Sequence, residues 1–291
     1  MRRSAVMWMA LAVWPVLPAH AGQGAAPGAE AEAPVPVIEV QGLTDPDAHS
    51  YRKMVRGMDA FEKYRRLAPA GQLRYRLIPR LPGVRAEGVT VTVQGAHVTL
   101  PVPLDADLAF TLPRDAQAWD DWARVVTNRK DRSFAWTPDV RTPGLPANVR
   151  RLGDLRLECE IDREASLVSG YKPPSYLLLA AATDVCTTFP SGQWLYYADR
   201  PIFNVTLVHG RRRQPVPAAK MYGAFIPKLF WPFYDFQPHL LDRTFALKIS
   251  DTSWPDDTLV EFDYMDDPDP VPATVPKSAG GPAATAPEAP R

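Results

Sequence analysis

The chain has 291 residues, and 33 Lys plus Arg balance 33 Asp plus Glu, so its formal net charge is zero. That balance argues against a general nucleic-acid surface, which needs a basic excess. No internal repeat of fixed period stands out, so the remaining expectation is one large β-rich domain or two smaller ones.

In chain order, the first residues "MRRSAVMWMALAVWPVLPAHAG" set Arg2 and Arg3 before an apolar run from Ala5 to Leu17, followed by Ala19-His20-Ala21. This reads as a secretory signal peptide, residues 1–21, cut after Ala21. The run is shorter than a bilayer span needs and is interrupted by Pro15 and Pro18, so a membrane anchor is the weaker reading. Residues 22–37 and 266–291 are rich in Pro, Ala and Gly with almost no large apolar side chains. Such segments bury too little surface to offset their ordering entropy and are expected to be a disordered linker and tail. Between them lie a helix plus β-rich part, 38–145, and a β-rich part, 146–265, with one continuous domain as the alternative.

The stretch "DPDAHSYRKMVRGMDAFEKYRRLAP" predicts a helix capped by Asp45, with Pro46 in its first position and Pro69 as its stop. Tyr51, Met54, Val55, Met58 and Phe61 form its apolar stripe. "LRYRLIP" predicts a strand, and "GVTVTVQGAHVTLPVPL" a hairpin turning at Gln94-Gly95-Ala96. A short strand through Phe110 and Leu112 follows. "RDAQAWDDWARVVTNRK" predicts a second helix capped by Asp115, with Trp119, Trp122, Ala123 and Val126 along one side as core anchors.

"DLRLECEID" alternates at period two. It predicts a strand with Leu155, Leu157, Cys159 and Ile161 on an apolar face and Arg156, Glu158, Glu160 and Asp162 on a solvated one. The Cys159 thiol would then be desolvated, with no cation to hold a thiolate, which is wrong for a nucleophile. In an exported chain with two cysteines, a Cys159–Cys186 disulfide is the preferred reading. Two buried free thiols and a reactive cysteine are the alternatives.

The proline-interrupted stretch "KMYGAFIPKLFWPFYDFQPHLL" concentrates rings, and Tyr222, Trp231, Phe233 and Tyr234 are its candidate binding surface. "IFNVTLVHGRRRQPV" predicts two strands around a basic turn, where Arg211 to Arg213 read as a solvated tip. "FALKISDTSWPDDTLVEFDY" predicts two further strands, with Asp256-Asp257 in the turn between them. His49, His97, His209 and His239 are scattered without ligand spacing. No zinc-protease, nucleotide-loop, serine-elbow or dinucleotide motif is present, so no cofactor, metal or catalytic residue is assigned.

On "VPLDADLAFTLPRDAQAWDDWARVVTNRK", "RTPGLPANVRRLGDLRLECEI" and "SWPDDTLVEFDY", the chain resembles a group of uncharacterised exported proteobacterial proteins. The hairpin region is also similar in rhythm to carboxypeptidase-regulatory or transthyretin-like β-sandwich modules. That resemblance implies a β-rich fold with a structural or adhesive role. The fold expected is α+β, predominantly β: an antiparallel β-sandwich-like core with two or three short-to-medium helices. The function expected is that of an exported, non-enzymatic cell-envelope or binding protein whose partner is an envelope protein or a carbohydrate. The alternative is a hydrolase using carboxylates from Asp154, Glu158, Glu160, Asp256 or Glu261.

Overall fold

Pro46 does not open a helix. In the computed structural model, which describes residues 44–81, 83–167, 186, 193–224 and 238–266, Pro46–Ser50 is a strand, β1, paired antiparallel with β6, Arg124–Lys130. The reason lies in Asp47, whose buried carboxylate accepts from the Phe134 backbone N at 2.8 Å and from Trp136 Nε1 at 2.9 Å. Those bonds hold the segment extended until Ser50, and α1 then runs from Tyr51 to Lys63. The stripe behaves as its spacing requires: Tyr51, Met54, Val55 and Phe61 are buried.

The strands β2 (Gln72–Pro79), β3 (Val91–Gln94), β4 (Thr99–Val102), β5 (Ala109–Phe110) and β7 (Phe134–Arg141) complete the first half. They form two sheets, ordered β1-β6-β3-β4 and β5-β2-β7. The alternation in the hairpin puts Val91 and Val93 inward. Their neighbours in one core include Met54, Tyr75, Phe110, Val125 and Trp136. The second helix is much shorter than its pattern suggests: α2 covers only Ala116–Asp120, and the chain turns at once into β6.

The alternating stretch is a helix. After β8 (Val149–Arg151), α3 spans Leu152–Ala165. Its apolar residues form two helical stripes. Leu157, Ile161 and Ala165 enter the first core, while Leu152, Leu155 and Cys159 enter a second. At 3.6 residues per turn these are spacings of four, and of three and four. Interleaved in the sequence, the two stripes imitate the period of a strand. The residues between them are not solvated either, since Asp154, Glu158 and Glu160 are buried. Against α1, the helix comes so close that a Cβ on Gly57 would lie 2.9 Å from the Ala165 Cβ and 2.8 Å from the Tyr75 hydroxyl.

The second core also takes side chains from β10 (Ile202–His209), β12 (Thr244–Lys248) and β13 (Leu259–Tyr264), among them Val205, Phe245 and Phe262. With β9 (Gln193–Tyr197) and β11 (Arg212–Pro215), the sheet orders are β11-β10-β13-β8 and β12-β9. The strands on either side of Asp256-Asp257 therefore belong to different sheets. Every strand pair described is antiparallel. The fold is α+β and mostly antiparallel sheet, with three α-helices among the described residues.

Candidate functional site

Cys159 and Cys186 form a disulfide with Cα atoms 5.9 Å apart, and it sits in the second core. Tyr222 is half-buried against that core, and its hydroxyl lies 2.9 Å from the carbonyl oxygens of both Ile202 and Phe203. Trp231, Phe233 and Tyr234 lie outside the described residues.

The five candidate hydrolytic carboxylates are spread through the fold and bound to structural partners. Asp154 accepts from the hydroxyl and backbone N of Thr142 and closes the capping box of α3. Glu158 accepts from the Val140 backbone N at 2.7 Å and pairs with Arg150. Glu160 pairs with Arg163 at 3.0 Å. Asp256 pairs with Arg156, whose guanidinium also donates to the carbonyls of Ile249, Asp251 and Trp254. Glu261 pairs with Arg213 at 2.6 Å, and Arg212 is stacked on Trp254. Burial pushes the Glu158 carboxyl up, to about 7, against the pull of Arg150. Burial would also raise Asp139, but the guanidiniums of Arg141, Arg76 and Arg150 outweigh it and hold that carboxyl at about 2. Such a divergent pair is the usual signature of acid–base work. Here both side chains are almost wholly covered, so no substrate reaches them.

A different place gathers exposed functional groups. Trp119 and Trp122, expected in the core, are 37% and 73% exposed. The cause is the early end of α2. The Trp122 N–H donates to the Trp119 carbonyl at 3.2 Å and the Ala123 N–H to the Ala118 carbonyl at 3.0 Å. Together these make the paired closing bonds of a helix whose next residue is left-handed. That residue is Trp122, with φ of 53°. Glycine takes this conformation freely, and a bulky side chain there is strained. Its ring is thereby turned outward while Ala123 goes into the core.

Arg52, in the first turn of α1, completes the arrangement. Its Nε donates to the Trp119 carbonyl at 2.5 Å. The guanidinium carbon lies 3.5 Å from the Trp122 ring centroid and 5.1 Å from that of Trp119. Beneath it, the Tyr51 hydroxyl donates to the Pro113 carbonyl at 2.8 Å and accepts from the Asp115 N–H at 2.6 Å, fixing the entry to α2. Asp115 caps the helix, as its sequence position predicts, through a 2.7 Å bond from the Ala118 N–H. Beside this lies an open cleft of about 240 Å³, lined by Tyr51, Val55, Arg114, Asp115, Ala116 and Trp119.

The β3–β4 turn supports the opposite side. Asp121 accepts from the His97 backbone N at 2.5 Å, from His97 Nδ1 at 2.9 Å and from Gln117 Nε2 at 2.8 Å. The hydrogen bonds from His97 are the main cause holding its carboxyl down, at about 2. Gly95 is needed for this approach, because a Cβ there would stand 2.6 Å from the Asp121 carboxylate. The bond at Nδ1 orients the His97 ring, whose side chain is otherwise exposed.

Sequence reasoning missed this corner because a tryptophan pair at helical spacing is usually core. The available signal was the doubled carboxylate in "AWDDWA", which weakens a helix beyond Asp120. The corner offers flat aromatic faces, a fixed cation and hydrogen-bonding groups at a cleft rim, a set suited to holding a ligand. Comparison with protein-family models, curated proteins and solved structures gave no match to this chain.

Proposed function

We propose that this is an exported, non-enzymatic binding protein of the cell envelope that holds carbohydrate at the Arg52–Trp119–Trp122 corner. The observation that carries the reading is Trp122: a large apolar ring kept 73% exposed on strained backbone. Strain at an exposed residue that does nothing for the core is the pattern of a binding site. Sugar rings present apolar C–H faces that stack on indole, while their hydroxyls pair with groups such as Arg114 and Asp115 at the rim. Export is supported by the signal-like residues 1–21 and by the Cys159–Cys186 disulfide, which fits an oxidising compartment. No helix among the described residues is long and apolar enough to cross a membrane. The candidate catalytic carboxylates are all engaged by structural partners, which favours binding over hydrolysis.

The test is sedimentation with insoluble polysaccharides, including peptidoglycan sacculi, using the wild type and a Trp119→Ala/Trp122→Ala variant. The wild type should be retained on at least one, and the double variant should lose that retention about tenfold or more while keeping its circular dichroism. Equal retention of both proteins, or none of either, would overturn the reading.

A further inference from the structure

The chemical class of the ligand follows from how Arg52 is held. The guanidinium is planar, with five N–H donors in a fixed fork. Its Nε is committed to the Trp119 carbonyl, and its face is covered by Trp122. The two Nη groups have no hydrogen-bond or ion-pair partner among the described residues. An arginine on a surface ordinarily loses side-chain entropy when it grips an anion. Here the stack and the Nε bond have already fixed the plane, so little ordering is left to oppose binding.

The surrounding charge has the same sense. Lys53 and Arg56 are exposed on α1, one and four residues beyond Arg52, and Arg124 is exposed at the start of β6; none has an ion-pair partner among the described residues. Arg114 is paired with Asp59. Of the nearby carboxylates, Asp115 is used as a helix cap and Asp121 is held by His97 and Gln117. Asp120 is the exposed exception. The corner is thus an aromatic platform edged by two preset donors, with exposed cations on the elements that carry it.

Resting on the carbohydrate reading above, we propose that the corner is selective for acidic sugars. The Nη edge of Arg52 receives a uronate carboxylate as a bidentate pair, and the Trp122 ring takes the apolar face of the same or the adjoining residue. A neutral sugar would leave the Nη donors facing water, with no gain from their charge.

The experiment titrates wild-type protein, at low and physiological salt, with oligomers of galacturonate, glucuronate and mannuronate, following tryptophan fluorescence and heat. Each is matched by its methyl ester, which keeps the ring and removes the charge, and by the neutral oligosaccharide. At least one oligouronate should bind about tenfold or more tightly than its ester, more weakly as salt rises. Arg52→Gln should reduce its affinity to that of the ester, and Asp120→Asn should leave it unchanged or tighten it. Equal affinity for acid and ester, or an Arg52→Gln variant that still prefers the acid, overturns acid selectivity while the carbohydrate reading stands. Failure of every oligouronate to bind also overturns it, and retention on neutral polysaccharide then shows whether the broader reading survives. Arg52 is half-buried rather than core, and an unchanged melting temperature of the variant confirms that the comparison is between folded proteins.

Discussion

Trp122 sets the balance between stability and use at the level of one residue. In the left-handed region a side chain costs roughly 1–2 kcal/mol relative to glycine, and an exposed cation–π contact such as that with Arg52 returns only about 0.5–1 kcal/mol. The two replacements that remove the ring should therefore differ. Trp122→Gly removes both the strain and the stack, whereas Trp122→Ala removes only the stack. Urea unfolding should find the glycine variant more stable than the alanine variant by about 1 kcal/mol, with carbohydrate retention lost in both. Equal stability would mean that residue 122 does not hold a left-handed conformation in solution.

Among the elements, α3 explains what was legible in the sequence and what was not. Where one face of an element meets the core, the pattern spoke plainly: the stripe of α1 and the alternation of β3 appear as their periods require. A helix buried on two faces has no single stripe, and Leu155, Leu157, Cys159 and Ile161 mimic a strand. The disulfide remained legible because the expectation rested on the cysteine count and the signal-like first residues, whichever element carries Cys159. The exposed corner stayed hidden because its residues are placed by a helix that stops early, and "AWDDWA" reads equally well as core. The disulfide ties α3 to a position 27 residues away in sequence. On the chain-entropy model, that crosslink stabilises the fold by about 3–4 kcal/mol. Cys159→Ala/Cys186→Ala should lose that amount in a denaturation curve followed by tryptophan fluorescence. A loss below about 1 kcal/mol would show that second-core packing holds α3 without the crosslink.

Across the whole molecule, the pH response combines groups of opposite sign. Burial, helped by Lys53 and Arg124, lowers His49 from 6.5 to about 4. The folded state then binds fewer protons than the unfolded one, so this contribution is complete above pH 6.5 and is lost as pH falls through about 4. Burial raises Glu158 from 4.5 to about 7, so its contribution is complete below pH 4.5 and is lost as pH rises through about 7. Between pH 4.5 and 6.5 the two slopes oppose each other. Asp139 and Asp121, both near 2, act at lower pH. Stability measured against pH should therefore rise from pH 4 to 6.5 in Glu158→Gln and fall from 4.5 to 7 in His49→Gln. The wild type should be flatter than either. Three parallel profiles would remove the offset.

The placement of α3 also bears on how the chain is made. Both sheets of the first half precede it in sequence, yet their core is finished by Leu157, Ile161 and Ala165. A chain synthesised from its N-terminus therefore presents α1 and β1 to β7 with one side uncovered until Ala165 has emerged. During that interval the unfinished half exposes apolar surface and is a natural client for a holding chaperone. The same helix carries Leu152, Leu155 and Cys159 into the second core, so its docking completes one core and supplies a side of the other.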